Sequence, residues 1–478
     1  MPRSGSKGHA PGLDTGQPLK RQSVRPLRKP TDAMRSRVGD GGLRCRPHKR
    51  IMESYHFDNL SIILDKPGSP EFGKASYPIR YGRFYEIKTP DYTFQFNLNK
   101  EIKYIQGRGE GWPHPAEWLK RTVANDWVYY SAGEYGKAYD YFGEYYLPCL
   151  SYPSNSIMGG NPFNDSAVRS ALEAWEEARI ELKGLLAGSL PRGLEDFLSL
   201  ATENDVQRLQ LRSQVLHKLI GGRVTVLPPD TRHVDYEIIP VIIADGCLYN
   251  CGFCRVKTGE DFASRDKNNV IEQIKRLKAF YSHDLRNYNA VFLGQHDALG
   301  AGQDLLEFSA HYAYETLEFN RSHMKGAYLF LFGSVDSLVT AKDGLFDALH
   351  GLPFRTYVNV GLESADQETL TALGKPTASE MIGEAFARML EINKRYEKIE
   401  VTANFLLGSN LPKGHLPGSL DVIRNGLGRF YSKGAIYFSP LVNGGSMSGE
   451  TRRTMVRRFG EIKFLSLLPT YLYLIQRL

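Results

Sequence analysis

From Tyr236 to Ser439 the chain alternates short apolar runs with stretches whose apolar residues recur every three or four positions. The runs Tyr236 to Ala244, Asn289 to Gly294, Ala327 to Phe332, Thr356 to Leu362, Glu400 to Leu407 and Ala435 to Ser439 predict strands. Between them Val270, Ile274, Leu277 and Tyr281, then Leu305, Phe308 and Tyr312, then Met381, Ala385, Met389 and Ile392 each trace one face of a helix. Six strands alternating with helices predict an α/β fold with a parallel sheet and right-handed crossovers. Strands this apolar suit a sheet buried on both faces. The pattern alone leaves a doubly wound sheet and a barrel both open.

Ahead of that region the punctuation is denser. Leu60 to Gly107 holds short runs such as Tyr92-Thr93-Phe94-Gln95-Phe96 between Pro, Gly and Asn, which predicts a small antiparallel sheet. The aromatics Trp127, Tyr129, Tyr130, Tyr139, Tyr141, Phe142, Tyr145 and Tyr146 crowd the next stretch and suit packing or a ligand platform. Asp165 is placed to cap a helix carrying Val168, Leu172, Trp175 and Leu182, and two more helices are expected near Leu194 to Leu200 and Val206 to Ile220, the last ended by Gly221. Residues 52–222 therefore read as an α+β module of unknown role, 223–235 as a stiff extended linker, 236–442 as the core, and 443–478 as a helical tail closing its open side. Residues 1–51, rich in Arg, Gly, Pro and Ser without apolar periodicity, are expected to be disordered, with Met52 as the natural start.

Composition changes the picture in one respect. The chain has 478 residues and a net charge of +7, but residues 1–51 hold 13 Lys and Arg against 3 Asp and Glu, so the rest carries 47 against 50. The body is slightly acidic, and nucleic-acid binding, which needs clustered basic residues on the folded part, is not expected. No apolar run reaches the roughly 18 residues that span a bilayer, so no membrane partner is expected. Free thiols point to the reducing cytoplasm.

The candidate chemistry sits just after the first core strand. Three of the five cysteines, Cys247, Cys251 and Cys254, fall within eight residues. Thiolates select zinc or iron-sulfur clusters. A closed zinc site wants four ligands, whereas three thiolates on a four-iron cubane leave one iron open to a substrate or cofactor. A structural zinc loop or a redox thiol site remain the alternatives.

The spacing C-x3-C-x2-C, with Phe253 before the last cysteine, resembles the signature of the radical S-adenosylmethionine (SAM) superfamily. The resemblance implies that the three cysteines hold a 4Fe-4S cluster, that SAM chelates the open iron with Phe253 beside its adenine, and that SAM is cleaved reductively to a 5'-deoxyadenosyl radical. It also implies a partial (βα)6 TIM-like barrel over roughly residues 235 to 442. An electron donor is implied as well, a reductase, flavodoxin or ferredoxin.

Site residues follow at the strand ends, where such folds carry their functional groups. Gly294-Gln295-His296-Asp297 stands where the family commonly has a Gly-Gly-Glu-like motif for the SAM amino group. The glutamate is missing, so Asp297 or the Gln295 carbonyl would accept the ammonium, and His296 is a candidate proton donor or substrate ligand. The stretch Val360-Gly361-Leu362-Glu363-Ser364-Ala365-Asp366 through Leu373-Gly374-Lys375-Pro376 resembles the family's fourth-strand region, which puts Glu363 on the SAM ribose or carboxylate. Ser334 and Asn404 are further candidates, and Leu407-Gly408 resembles the glycine motif near the adenine. For each of these an N-cap or turn is the competing reading. Cys45 and Cys149 are too few for an auxiliary cluster, and no Asp-x-His-x-x-Gly segment for cobalamin is visible. The expected substrate is an unidentified small molecule or cofactor precursor, with RNA modification second and glycyl-radical activation of a partner protein third. The rival from another class is a non-catalytic iron-sulfur or zinc protein for electron transfer or interaction.

Overall fold

The structure, a computed structural model, describes residues 52–73, 80–131, 142, 146–148, 150–256, 259–442 and 447–478. The basic N-terminal segment, Cys45, Cys149, Tyr139, Tyr141 and Tyr145 lie outside the described residues.

The N-terminal module is an eight-stranded antiparallel meander: β1 (Glu53–Phe57), β2 (Leu60–Pro67), β3 (Arg83–Lys88), β4 (Tyr92–Phe96), β5 (Ile102–Gly107), β6 (Trp118–Arg121), β7 (Trp127–Tyr130) and β8 (Tyr146–Leu147). It is larger than its punctuation suggested because the aromatic stretch continues it: Tyr129 and Tyr130 of β7 and Tyr146 of β8 are buried strand residues. Helices α1 (Ser166–Leu185), α2 (Arg192–Glu203) and α3 (Val206–Ile220) follow as expected. Asp165 caps α1 by accepting from the Ala167 N–H, and Gly221 ends α3. Phe94 and Phe96 meet Trp175 of α1 at ring-centroid distances of 5.4 and 5.0 Å, which locks one face of the meander to the helices.

The core is a seven-stranded parallel sheet running in sequence order: β9 (Ile239–Ile242), β12 (Ala290–Gly294), β13 (Tyr328–Gly333), β14 (Arg355–Glu363), β15 (Ile399–Leu407), β16 (Ile436–Pro440) and β17 (Thr470–Leu472). The short strands β10 (Ala244–Asp245) and β11 (Ala263–Ser264) pair separately and bracket the cysteine loop. All six expected strands form; β9, β12 and β15 are almost wholly buried, as their apolar runs required, while β14 buries five of its nine residues. The strand order never reverses, unlike that of a doubly wound sheet. Among the described residues no pairing joins β9 to β17, so the sheet is open.

Two connecting segments depart from expectation. The tail is helical only over α11 (Gly449–Leu465); its apolar end supplies β17, whose Thr470 and Leu472 register with Ile436 and Phe438. A helix there would have left the outer edge of β16 without backbone partners, and Pro469 cannot donate an intrahelical bond. The segment after Leu227 is not an extended linker. Pro229–Val234 winds into a 3-10 helix whose Asp230 and Thr231 are wholly buried. Among the described residues no helix is long and apolar enough to cross a membrane.

Candidate functional site

The carboxyl ends of the core strands open onto a cavity of about 900 Å³, within the range of small-molecule sites. Cys247, Cys251, Phe253 and Cys254 form one wall, and His296, Asp297, Ser334, Glu363 and Asn404 come from the ends of four further strands. Nine of the residues singled out in the sequence therefore meet in one place. Gly294, Gln295 and Gly408 are not on its lining. The Gln295 side chain donates to the Arg223 carbonyl at 3.3 Å, and the Gly408 carbonyl accepts from Arg458 at 2.9 Å.

The cysteine loop is held by specific contacts. The Cys247 N–H donates to the Glu260 carbonyl at 3.3 Å, and that of Cys254 to the Cys251 carbonyl at 3.2 Å. The Tyr249 hydroxyl donates to Asp336, whose N–H returns a bond to the same oxygen at 3.0 Å, so the loop is tied to the helix after β13. Lys375, only 6% exposed, also lines the cavity with its ammonium 4.5 Å from the Tyr249 ring centre. Burial pushes the Cys251 thiol up to about 11; Lys375 opposes this, while Glu363 and the Cys247 and Cys254 thiols add to it. Cys251 thus sits within electrostatic reach of the other two thiols, beside a buried Lys375 that favours its ionised form.

Among the described residues no group of three or more His, Cys, Asp and Glu side chains is arranged to hold a metal ion. A cubane takes each thiolate on a separate iron, so three thiols along one loop that all face one cavity fit it.

The strand-end residues divide into two kinds. Ser334 is the N-cap of α6 (Val335–Thr340), accepting from the Ser337 N–H at 3.0 Å, and Asp297 Oδ1 accepts from the Ser334 N–H and the Ser337 hydroxyl, both at 2.8 Å. The capping reading holds for Ser334, and half of the Asp297 carboxylate is committed to it. Asp297 Oδ2 and His296 Nε2 are buried without a hydrogen-bond partner. Burial raises the Asp297 pKa against the pull of its serine donors, and it lowers that of His296. Glu363, raised by burial and held back by Lys375, reaches the cavity from a left-handed backbone position, φ +69°. Asn404 exchanges hydrogen bonds with Asn359 at 2.6 and 3.2 Å.

Lys375 was quoted in the fourth-strand resemblance but not singled out. A lone lysine beside a proline reads as a surface turn, and only its burial distinguishes it. Tyr152 and Ser154 from the N-terminal module and Tyr473 and Ile475 beyond β17 also line the cavity. Tyr473 of the apolar tail was a candidate for substrate contact, with packing the competing reading; no local pattern pointed to the other three.

Fold and site together define an α/β protein with a three-cysteine loop at the carboxyl ends of an open parallel sheet. No family model and no curated protein matches the chain. The solved structures it is similar to include radical SAM enzymes. One is the cobalamin-dependent S-adenosylmethionine radical enzyme OxsB with aqua-cobalamin and S-adenosylmethionine bound, at 15% identity and TM-score 0.29, covering 50% of this chain and 32% of that one. A radical SAM methyltransferase from Sphaerobacter thermophilus has 15% identity and TM-score 0.36, covering 49% and 64%. Methylornithine synthase (PylB) has 13% identity and TM-score 0.30, covering 65% and 77%. The chain thus matches about a third of OxsB. Superposition this partial identifies neither an activity nor a substrate.

Proposed function

We propose that this protein is a cytoplasmic radical SAM enzyme in which Cys247, Cys251 and Cys254 hold a 4Fe-4S cluster and the adjoining cavity receives SAM and a small-molecule substrate. One observation carries the reading: the C-x3-C-x2-C loop faces a cavity onto which the carboxyl ends of the neighbouring parallel strands also open. An electron carrier has no need of such a chamber. When bound, the cluster supplies one electron, drawn from a reductase, flavodoxin or ferredoxin, that cleaves SAM to methionine and a 5'-deoxyadenosyl radical able to abstract a substrate hydrogen.

The protein's own residues bind and orient. Strands β9 and β12 to β16 form the partial barrel, and the module before them serves substrate contact. Lys375 offsets the negative charge of the thiolates and attracts a carboxylate. Asp297, through its second oxygen, accepts the SAM ammonium in place of the missing glutamate, and Glu363 faces the ribose. Phe253 packs beside the adenine, while half-buried His296, its pKa lowered by desolvation, faces the substrate side.

The experiment is anaerobic: reconstitute with iron and sulfide, reduce, add SAM, and quantify 5'-deoxyadenosine against a Cys251→Ala control. We expect a cluster and nucleoside in the wild type and neither in the variant. Zinc in place of iron, with no SAM binding, would overturn the reading.

A further inference from the structure

A line of buried polar side chains crosses the interior of the core sheet and ends at the cavity. It begins at Asp230 on the 3-10 helix that enters the core. Asp230 Oδ1 accepts from the Tyr437 hydroxyl at 2.7 Å, and Oδ2 accepts from the Thr402 hydroxyl at 2.6 Å. Thr402 Oγ1 accepts from Asn359 Nδ2 at 2.8 Å. The other proton of that amide goes to Asn404 Oδ1 at 3.2 Å, and Asn404 Nδ2 donates back to Asn359 Oδ1 at 2.6 Å. Asp230, Thr402 and Asn359 are wholly buried, and only Asn404 lines the cavity.

The direction of each bond follows from the first. An ionised carboxylate accepts and cannot donate, so the Thr402 proton points at Asp230 and its oxygen is left to accept. Asn359 must then turn its nitrogen toward Thr402, which decides how Asn404 pairs with it. A reciprocal pair of amides would be equally satisfied with both flipped, and nothing within the pair chooses. We propose that Asp230 is a positioning residue that, through Thr402 and Asn359, sets which edge of the Asn404 carboxamide faces the ligand in the cavity. That the ligand is SAM rests on the function proposed above; the orientation itself does not.

A double-mutant cycle tests it on the cluster-loaded protein, with SAM binding followed by calorimetry at neutral pH. Thr402→Val keeps the shape and removes the relaying hydroxyl. We expect it to weaken SAM binding about fivefold, the worth of one hydrogen bond, and to do nothing further in an Asn404→Ala background. Its effect on the urea midpoint should be the same in both backgrounds. Equal losses of affinity in both backgrounds, or none in either, overturn the proposal.

A second readout needs neither cluster nor SAM. The side-chain amide NMR signal of Asn404, identified by its loss in Asn404→Ala, should shift in both Asp230→Asn and Thr402→Val. An unmoved signal refutes the relay even if the protein binds SAM. A moved signal in a protein that never binds SAM leaves the relay standing and sinks the function.

Discussion

Glu363 reaches the cavity at an energetic cost that its neighbours make bearable. A non-glycine residue at φ +69° is strained by roughly 1 to 3 kcal/mol, and it sits where the register of β14 against β15 slips between Gly361 and Glu363. Gly361 makes room: a Cβ there would lie 2.5 Å from Glu363 Oε1. Strain of this kind persists where function selects it. We expect Glu363→Gly to raise unfolding stability by about 1 kcal/mol while 5'-deoxyadenosine formation falls at least tenfold, as urea melts and the nucleoside assay would show. Gly361→Ala should leave stability nearly unchanged yet expel the carboxylate, with a similar loss of activity. Glu363 was visible in the sequence as a polar residue after an apolar strand. Its bulge was not, because register belongs to two strands at once.

The cysteine loop is an element whose shape depends on its first turn. Gly246 has φ +72°, and a Cβ there would fall 2.1 Å from the Asp261 carbonyl oxygen, just ahead of the return strand β11. A side chain can yield, but this backbone is held two residues on, where Ala263 pairs with Asp245. Gly246→Ala should therefore open the loop and reduce iron retained after reconstitution by more than half, with the global urea midpoint little affected. Unchanged iron content would show that the turn does not shape the cluster site. Tail and linker show the limit of local reading. Thr470 to Leu472 could be strand or helix by composition, and the free edge of β16 decides.

At the scale of the molecule, a buried ionic cluster joins module to core. Glu237, just before β9, pairs with Lys103 of β5 at 2.7 Å and Lys120 of β6 at 2.5 Å. Burial alone would raise its pKa, but the two ammonium groups outweigh that and hold it at about 2, below its ordinary 4.5. A carboxylate depressed on folding stabilises the protein fully above its unfolded pKa, and that contribution drains away as pH falls from about 4.5 toward 2. The shift corresponds to on the order of 3 kcal/mol. Glu237→Gln takes the paired carboxylate from buried Lys120 and half-buried Lys103 and should cost roughly 3 to 5 kcal/mol at neutral pH. In the same urea series the variant should lose less stability than the wild type between pH 4.5 and 2. Parallel pH profiles would show that the pair does not govern acid stability.

What the sequence alone determined was local in origin. The six strands came from apolar runs, helix α1 from its cap and its three-and-four periodicity, and the candidate site from three cysteines within eight residues. Each signal is carried by one continuous segment, so the chain displays it without folding. Tertiary structure decided the rest: the seventh strand, the burial of Asp230 and Lys375, the partners of Asn404, and the convergence of six strand ends on one cavity. These depend on contacts between residues tens to hundreds of positions apart. Their burial and hydrogen bonding exist only once the sheet has brought them together.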